Sequence, residues 1–164
     1  MQQELKQQEL KTALRQALLQ AIDNETTAAM DAARQAQETA SDVENKPENQ
    51  YDTLSLEAAY LAHGQSERIR ELQELRIRLA QWAVPVFSDD DAIAGGALLT
   101  LEHAAHEVRY LWLAPVGGRQ LQVNGKSVLV VSTQAPLAQQ LMQLAVGDEL
   151  TLNGVAGWEI TALQ

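Results

Sequence analysis

The stretch "ASDVENKPENQYDT" (residues 40–53) interrupts two long runs of helix-forming residues. Residues 3–40 contain neither glycine nor proline, and apolar side chains recur among them at spacings near three and four. Pro47 cannot occupy the interior of a helix without the loss of a backbone hydrogen bond. Helical periodicity resumes near Tyr51 and continues to Trp82. The stretch therefore predicts a break between two long helices.

Two long helices that are joined by a short break pack as an antiparallel hairpin. Arms of roughly 30 to 35 residues would reach about 45 to 50 Å at 1.5 Å per residue. The second helix carries two apolar stripes, and Val84-Pro85 ends it. We predict a coiled-coil hairpin over residues 1–84, with its tip at residues 42–52. The predicted stripes of the second helix are Leu61, Arg68, Leu75 and Trp82, and Gln65, Leu72 and Leu79.

From Val86 onward, short apolar or alternating runs are bounded by Gly, Asn and Asp, which is typical of β-strands. The pairs Asn124-Gly125 and Asn153-Gly154 are strong signals for tight hairpin turns. Between the last two predicted strands, "QAPLAQQLMQLAVGD" reads as a short helix with Pro136 in its first turn. We therefore predict an α+β protein, in which residues 85–164 form a small antiparallel sheet that carries one helix.

Composition narrows the classes of function. The 164 residues include 22 acids and 12 Lys or Arg, and the net charge of −10 argues against autonomous binding of nucleic acid. There is no cysteine, so disulfides and thiolate metal sites are excluded. The polar start "MQQELKQQELK" lacks the apolar core of a secretion signal, and no apolar run is long enough to cross a membrane. We expect a soluble cytoplasmic protein with no membrane partner.

The sequence contains only weak motifs for metal binding or catalysis by the chain itself. His103 and His106 are three residues apart between Glu102 and Glu107, which suggests a zinc site, but the pair falls between two predicted strands and is expected to decorate a turn. The acids of "SDDDA" lack the spacing of a calcium loop and predict a solvated turn. No nucleophile elbow or phosphate-binding loop is present. We predict that the protein is not an enzyme and holds no cofactor.

The hairpin tip is the exception, because six acids and one base lie between residues 38 and 57. One interpretation is a solvated turn with acids that favour a helix start. The other is that Asp42, Glu44 and Glu48 are delivered into the site of another protein. There they could hold a Mg²⁺ ion or orient a water molecule, roles that suit hard oxygen ligands.

Both halves of the chain resemble the Gre family of transcription elongation factors. The segment "STQAPLAQQLMQLAVGDELTL" (residues 132–152) is similar to the family's Ser-x-x-Ser-Pro-Leu, apolar helix and Gly-Asp-x-Val pattern. At the tip, "ENQYD" (residues 48–52) resembles the family's Glu-Asn-Ala-Glu-Tyr, and "GQSERIREL" (residues 64–72) is similar to the stretch that follows. The positions on the C-terminal pattern are Pro136, Leu137, Leu141, Gly147 and Asp148.

The resemblance implies an antiparallel coiled coil and an FKBP-like C-terminal domain. Gre factors dock this domain at the rim of the RNA polymerase secondary channel and insert the coil, whose acidic tip helps the polymerase to hold a second Mg²⁺ and to cleave backtracked RNA. It implies that Ser132, Pro136 and Leu137 dock on the polymerase. It also implies that the acids at 42, 44 and 48 approach a Mg²⁺ shared with the polymerase, with no metal intrinsic to this chain.

Departures from the family pattern leave alternatives open. The usual tip carries Asp-x-x-Glu, but Asn45 stands three residues before Glu48, and Ser41 stands three residues before Glu44. The protein could therefore belong to a Gre-like subgroup, or act as a Rnk-related regulator, that inhibits transcription without stimulating cleavage. A different class is a non-transcriptional interaction module that self-associates through its coil, although we expect a monomer. Prolyl isomerase activity is disfavoured by the few aromatic residues of the C-terminal half.

Overall fold

The helical part of the chain forms as the sequence predicts. The computed structural model describes the backbone of residues 1–44 and 52–164, and the side chains of residues 1–39, 56 and 59–164. Helix α1 comprises Gln2–Glu44 and helix α2 comprises Asp52–Gln81. The predicted break at Pro47 lies between the end of α1 and the start of α2. The prediction of an N-terminal helical hairpin is confirmed.

Two compact units make up the chain, and the first of them is Leu19–Gln81. Here α1 and α2 run antiparallel, and the Arg76 guanidinium, 53 residues after Asp23, donates from Nε to the Asp23 carboxylate at 2.6 Å. Large side chains fill one end of the seam and alanines the other, so the two helices approach closely toward the tip. The buried seam residues are Ile22, Ala29, Ala33 and Ala36 of α1, and Ala62, Leu72, Leu75 and Leu79 of α2.

One predicted stripe of α2 differs from the observed seam. Leu72, Leu75 and Leu79 are buried as predicted, whereas Leu61 is 55% exposed and its place in the seam is taken by Ala62. A straight α-helix has 3.6 residues per turn, so a stripe drawn with a strict seven-residue repeat drifts off the buried face over several turns.

The second unit combines Met1–Leu18 with Trp82–Gln164 and contains a six-stranded sheet. The strand order is β3-β4-β2-β1-β6-β5, and one short helix, α3, lies between β4 and β5 in the chain. The strands are β1 Leu98–His103, β2 Val108–Ala114, β3 Arg119–Val123, β4 Lys126–Ser132, β5 Glu149–Leu152 and β6 Val155–Leu163, and α3 is Pro136–Leu141.

The predicted sheet with one helix is confirmed, but the sheet is mixed. Four of its pairings are antiparallel, whereas β2 and β4 are parallel, with Leu111 opposite Leu129. The chain leaves β2, passes over one strand position to form β3 at the edge, and returns through a tight turn as β4 beside β2. Strand β3 runs opposite to β2, and β4 runs opposite to β3. Strand β4, which lies between them, is therefore parallel to β2.

The two predicted Asn-Gly turns join neighbouring antiparallel strands. Asn124 and Gly125 have φ values of 51° and 75°, and Asn153 and Gly154 have φ values of 52° and 80°. Positive φ at both central residues is the signature of a type I′ turn, whose twist matches that of the strands.

The sheet buries both of its faces. One face packs with α3 in a cluster that includes Leu111, Ala138, Leu141 and Ile160. On the other face the indole ring of Trp112 is fully buried and stacks on Trp82, with 5.6 Å between the ring centroids. In the part of the chain that the structure describes, neither long helix is apolar enough to cross a membrane.

Candidate functional site

The acidic tip lies at the connection between the two long helices. Asp42 and Glu44 belong to the last turn of α1, and Asp52 is the first residue of α2. Glu48 lies outside the residues that the structure describes, as do the side chains of Asp42 and Glu44. Acids suit the start of a helix, but at its C-terminal end the helix dipole disfavours each of them by about 0.3 to 1 kcal/mol. The preference of acids for the start of a helix therefore accounts for an acid at position 52, and not for acids at positions 42 and 44.

The predicted docking segment forms an ordered turn between β4 and α3. The Ser132 side-chain Oγ accepts a hydrogen bond from the Gln134 amide at 3.2 Å, and the Ser132 carbonyl accepts one from Ala135 at 2.9 Å. Pro136 begins α3, where its missing N–H costs nothing. Pro136 is exposed, while Ser132 and Leu137 are half-buried. The structure thus brings the three predicted docking residues together on one accessible turn.

A glycine on a neighbouring loop fixes the position of this turn. A Cβ added to Gly117 would lie 2.5 Å from the Ser132 backbone nitrogen, so only glycine allows the two main chains to approach this closely. The side-chain Nε2 of Gln139 donates to the Thr133 carbonyl at 2.7 Å and braces the turn from α3. The turn that carries the three predicted docking residues is therefore held from both sides.

A groove that the sequence did not reveal opens beside Leu137. It encloses about 270 Å³ between the β2, β3 and β4 strands, Leu137 and the β5–β6 turn. Leu129 is 40% exposed within it, although strand alternation places Leu129 on the face that packs with α3. The six residues of α3 leave this part of the face uncovered. The lining residues are Val108, Arg109, Tyr110, Leu111, Gln120, Ser127, Leu129, Leu137, Leu152 and Asn153.

The two histidines lie at the β1–β2 turn, and His103 also contacts β6. His103 ends β1, and its Nε2 lies 3.1 Å from the Ala156 carbonyl oxygen, while its Nδ1 accepts from the Ala105 amide at 3.3 Å. His106 lies in the β1–β2 turn with a φ of 65°. The prediction of a hairpin turn is confirmed. Within the described residues, no three His, Asp or Glu side chains come together as a metal site.

The acids of "SDDDA" organise the turn that leads into the sheet. The Asp91 carboxylate accepts hydrogen bonds from the Ser88 amide at 2.7 Å and the Ser88 hydroxyl at 3.0 Å, which lower the pKa of Asp91. The Asp89 carboxylate accepts from the Leu163 amide at 2.9 Å and so ties this turn to β6. These acids are structural, which the sequence alone did not show beyond the prediction of a turn.

Lys11 is a functional candidate that sequence reasoning missed. Its side chain is 1% exposed and donates to the main-chain carbonyl of Gly96 and, at 2.6 Å, to that of Gln164. Its ammonium lies 5.2 Å from the centre of the Phe87 ring. Burial lowers the pKa of Lys11 to about 7. The signal was its spacing, because positions 11, 14 and 18 share one helix face and Leu14 and Leu18 are fully buried.

The carbonyl that Lys11 contacts belongs to a constrained turn. Gly96 has a φ of 97°, and a Cβ there would lie 2.5 Å from the Pro85 side chain. The Trp112 indole also donates to the Gly96 carbonyl, at 3.2 Å. One turn after Lys11, Arg15 donates to the Trp82 carbonyl at 2.7 Å. Lys11 and Arg15 therefore fasten the start of α1 to the rest of its unit.

Comparisons with known proteins found similarity in structure only. No protein-family model matches the chain, and no curated protein matches it significantly. The crystal structure of GreA factor homolog 1 (Gfh1) of Thermus thermophilus is 15% identical, over 89% of this chain and 94% of that one, with a TM-score of 0.36. A second structure, of the transcription factor Gfh1, is 14% identical, over 90% and 93% of the two chains, with a TM-score of 0.37. Similarity at this level assigns no partner.

What the described residues offer chemically is recognition. They provide an accessible turn with Pro136 and Leu137 and a groove beside it. These features suit contact with a macromolecule, and the most perturbed titratable group, Lys11, is held by main-chain carbonyls inside the fold.

Proposed function

We propose that this protein binds RNA polymerase and inserts its helical hairpin into the secondary channel, where it regulates elongation. The observation that carries this proposal is the acid-rich connection at the end of a helical hairpin, in a chain whose residues 132–152 resemble the docking segment of Gre factors. The net charge of −10 is consistent with a protein that contacts the polymerase and not the nucleic acid directly.

The hairpin has the length that such a probe requires. Helix α2 has 30 residues, which corresponds to about 45 Å at 1.5 Å per residue, and α1 is longer. The seam near the tip is built from alanines such as Ala33, Ala36 and Ala62. Because these side chains are small, the two helices approach each other closely and the hairpin is narrow there. A slender rod is suited to a narrow channel, whereas a broad bundle would be excluded from it.

At the tip, Asp42, Glu44 and Glu48 supply carboxylates to the polymerase's catalytic Mg²⁺ ions. Hydrolysis of RNA is performed by the polymerase, and the tip stabilises a second metal or orients the attacking water. If the tip acids do not reach the metal, the hairpin occupies the channel and inhibits elongation without stimulating cleavage.

Docking on the channel rim is the role we assign to Ser132, Pro136 and Leu137. The turn is braced by Gly117 and Gln139, so little conformational entropy is lost when it binds. Two contacts, one at the rim and one at the catalytic centre, would then act together to hold the factor in place.

The test measures binding and chemistry separately. The full-length chain is mixed with core RNA polymerase, and we expect association at or below about 10 µM. Leu137→Ser should weaken it about tenfold, because an apolar contact is removed. No association at that concentration would reject the proposal.

Chemistry is followed as RNA length in backtracked elongation complexes with Mg²⁺. Glu48→Ala, Asp42→Ala and Glu44→Ala should change cleavage or inhibition, and should weaken polymerase binding less than Leu137→Ser does. Glu74→Ala, an exposed acid near the other end of α2, is the matched control. If the three tip variants behave like the Glu74 variant, the tip has no role at the catalytic centre.

A further inference from the structure

The sheet has two outer strands, β3 and β5, and the edge at β5 is protected. Strand β5 has only four residues, and its pairing with β6 is irregular between Leu150 and Leu152. Further along β6, the Leu163 amide donates to the Asp89 carboxylate at 2.9 Å. Short edge strands, irregular pairing and edge amides that are already bonded all hinder the addition of a further strand.

Strand β3, at the opposite edge, shows none of these features within the described residues. Its five residues pair with β4 without a break in register, from Arg119 opposite Val130 to Val123 opposite Lys126. The strand contains no proline, and its one charged residue, Arg119, stands at its first position. The sheet therefore has one regular edge that lacks the protection of the other.

The outward backbone groups of β3 belong to Gln120 and Gln122. A two-residue type I′ turn brings the residues that flank it, Val123 and Lys126, together as a hydrogen-bonded pair. Hydrogen-bonded positions alternate along an antiparallel strand, so Leu121 also bonds toward β4, whereas the amides and carbonyls of Gln120 and Gln122 point away from it. Both glutamines are exposed, and among the described residues their backbone groups have no partner outside the sheet.

The groove of about 270 Å³ extends to this edge. Gln120 is one of its lining residues and lies opposite Leu129 of β4, which in turn lies opposite Leu111 of β2. Residues that are directly opposed point to the same face of a sheet, so a row of side chains leads from Leu111 to the open edge. Leu129, in the middle of this row, is 40% exposed although it lies between two other strands.

We propose that the β3 edge binds an extended segment of a partner protein as a seventh strand of the sheet. The main chain of the segment exchanges hydrogen bonds with Gln120 and Gln122. Beside Gln120, on the face of the groove, the segment places a large apolar residue whose side chain reaches across Gln120 toward Leu129. Strand addition of this kind takes its affinity from the main chain and its specificity from alternate side chains.

The backbone and the groove together select this occupant. Gln120 and Gln122 present their amides and carbonyls about 6.8 Å apart, a spacing that an extended strand matches, whereas a helix bonds its main-chain groups internally. Arg109, the charged residue of the groove lining, lies 3.6 Å from the Glu107 carboxylate. A charged side chain would therefore find no free counter-charge there, while an apolar one removes Leu129 from water.

The inference does not rest on the proposed function, because no residue of β3 is among the predicted docking residues. The test starts from the full chain and a phage-displayed library of random nine-residue peptides. The enriched peptides should place a Leu, Ile, Met or Phe among residues of high strand propensity, without proline at the centre. If no peptide is enriched, the proposal is overturned.

N-methylation of one enriched peptide shows how it binds. The peptide is synthesised in two forms, which are methylated at successive central residues, and each form is titrated by fluorescence anisotropy. Because alternate amides of a strand point to opposite edges, one form should bind at least tenfold more weakly and the other should bind as the parent peptide does. Equal effects of the two methylations would contradict strand addition.

Two variants of the protein, each with a matched control, connect the binding to the edge and the groove. Gln122→Pro removes an outward amide and should weaken binding at least tenfold, whereas Gln122→Thr keeps the amide and should not. Proline is tolerated where the amide of an edge strand faces solvent, so the melting temperature should change little. Leu129→Ser should weaken binding about tenfold, and Ile77→Ser, at an exposed position of α2, should not.

Amide hydrogen exchange of the wild-type chain gives a readout that holds even if Gln122→Pro fails to fold. In the free chain, the Gln120 and Gln122 amides should exchange fast and the Leu121 amide slowly. The bound peptide should slow the two glutamines at least tenfold and leave β5 unchanged. Protection confined to β5, or binding that both Gln122→Pro and Leu129→Ser leave unchanged, would overturn the proposal. So would concentration-dependent dimerisation that Gln122→Pro abolishes, since a second copy of the chain would then occupy the edge.

Discussion

Replacement of Lys11 by methionine should remove a pH dependence of stability that the wild-type chain carries. Lys11 is buried, and burial lowers its pKa from 10.5 to about 7. In the unfolded chain the lysine keeps its proton up to the ordinary pKa near 10.4. Between these two values the unfolded state binds more protons than the folded state, so the free energy of unfolding rises with pH across this interval.

The size of the effect follows from the shift in the pKa. A shift from 10.5 to about 7 corresponds to about 5 kcal/mol across the whole interval, at about 1.4 kcal/mol per pH unit. From pH 7 to pH 9.5, where other groups interfere least, the gain is about 3 kcal/mol. Below pH 7 both states hold the proton, and the cost of burying the charge is present in full.

Methionine has a similar length and no charge, so it should fit the site. The two carbonyls that Lys11 contacts keep other donors, because Gly96 also accepts from the Trp112 indole and Gln164 from the Leu98 amide. The variant loses two hydrogen bonds, about 1 kcal/mol each, and avoids the cost of the buried charge. At pH 6 the variant should be about 2 to 3 kcal/mol more stable than the wild type. Near pH 9.5 the difference in the free energy of unfolding should vanish or change sign.

The assay is urea unfolding, followed by circular dichroism at several pH values from 6 to 9.5. The informative quantity is the difference between wild type and variant, since it cancels the groups that both proteins share. Lys6→Met is the control, because Lys6 is exposed on the same helix. Its free energy of unfolding should change with pH as that of the wild type does. A constant difference between wild type and the Lys11 variant would refute the reasoning, because it would show that Lys11 keeps its proton in the folded state.

Three further predictions concern the glycines and the hairpin core. Gly96→Ala should lower the free energy of unfolding by about 2 to 4 kcal/mol in urea unfolding, because its Cβ would meet Pro85 at 2.5 Å with a φ of 97°. Gly64→Ala should raise it by about 0.5 to 1 kcal/mol in the same assay, because Gly64 lies in α2 with nothing within 4 Å of an added Cβ; a loss would contradict this. Leu72→Ala should cost about 2 to 4 kcal/mol by cavity formation and lower the helical signal on heating, whereas Gln73→Ala, at an exposed position, should not.

Features that depend on neighbouring residues could be predicted from the sequence. Pro47 and the flanking helical runs predicted the hairpin, the Asn-Gly pairs predicted the turns with positive φ, and Pro136 predicted the start of α3. In each of these places a few adjacent residues restrict the backbone strongly enough to decide the local structure. The confirmed part of the fold therefore follows from local chemistry.

Features that depend on distant residues could not be predicted. The parallel pairing of β2 with β4 arises because β3 forms at the sheet edge, which no local pattern determines. The partners of Lys11 lie 85 and 153 residues away, at Gly96 and Gln164. The groove beside Leu137 follows from the shortness of α3, which leaves part of the sheet uncovered. The predicted roles of the tip acids and of the docking turn stay predictions.

The central claim is that the hairpin tip reaches the catalytic centre of RNA polymerase. The most direct measurement replaces the polymerase's catalytic Mg²⁺ with Fe²⁺ and lets it generate hydroxyl radicals in complex with the end-labelled protein. Radicals cut only the protein segments near the metal. We predict cuts confined to residues 40–53, which disappear when the factor is displaced from the polymerase. Cuts only within residues 85–164, or an intact chain in a complex shown to have formed, would contradict the account.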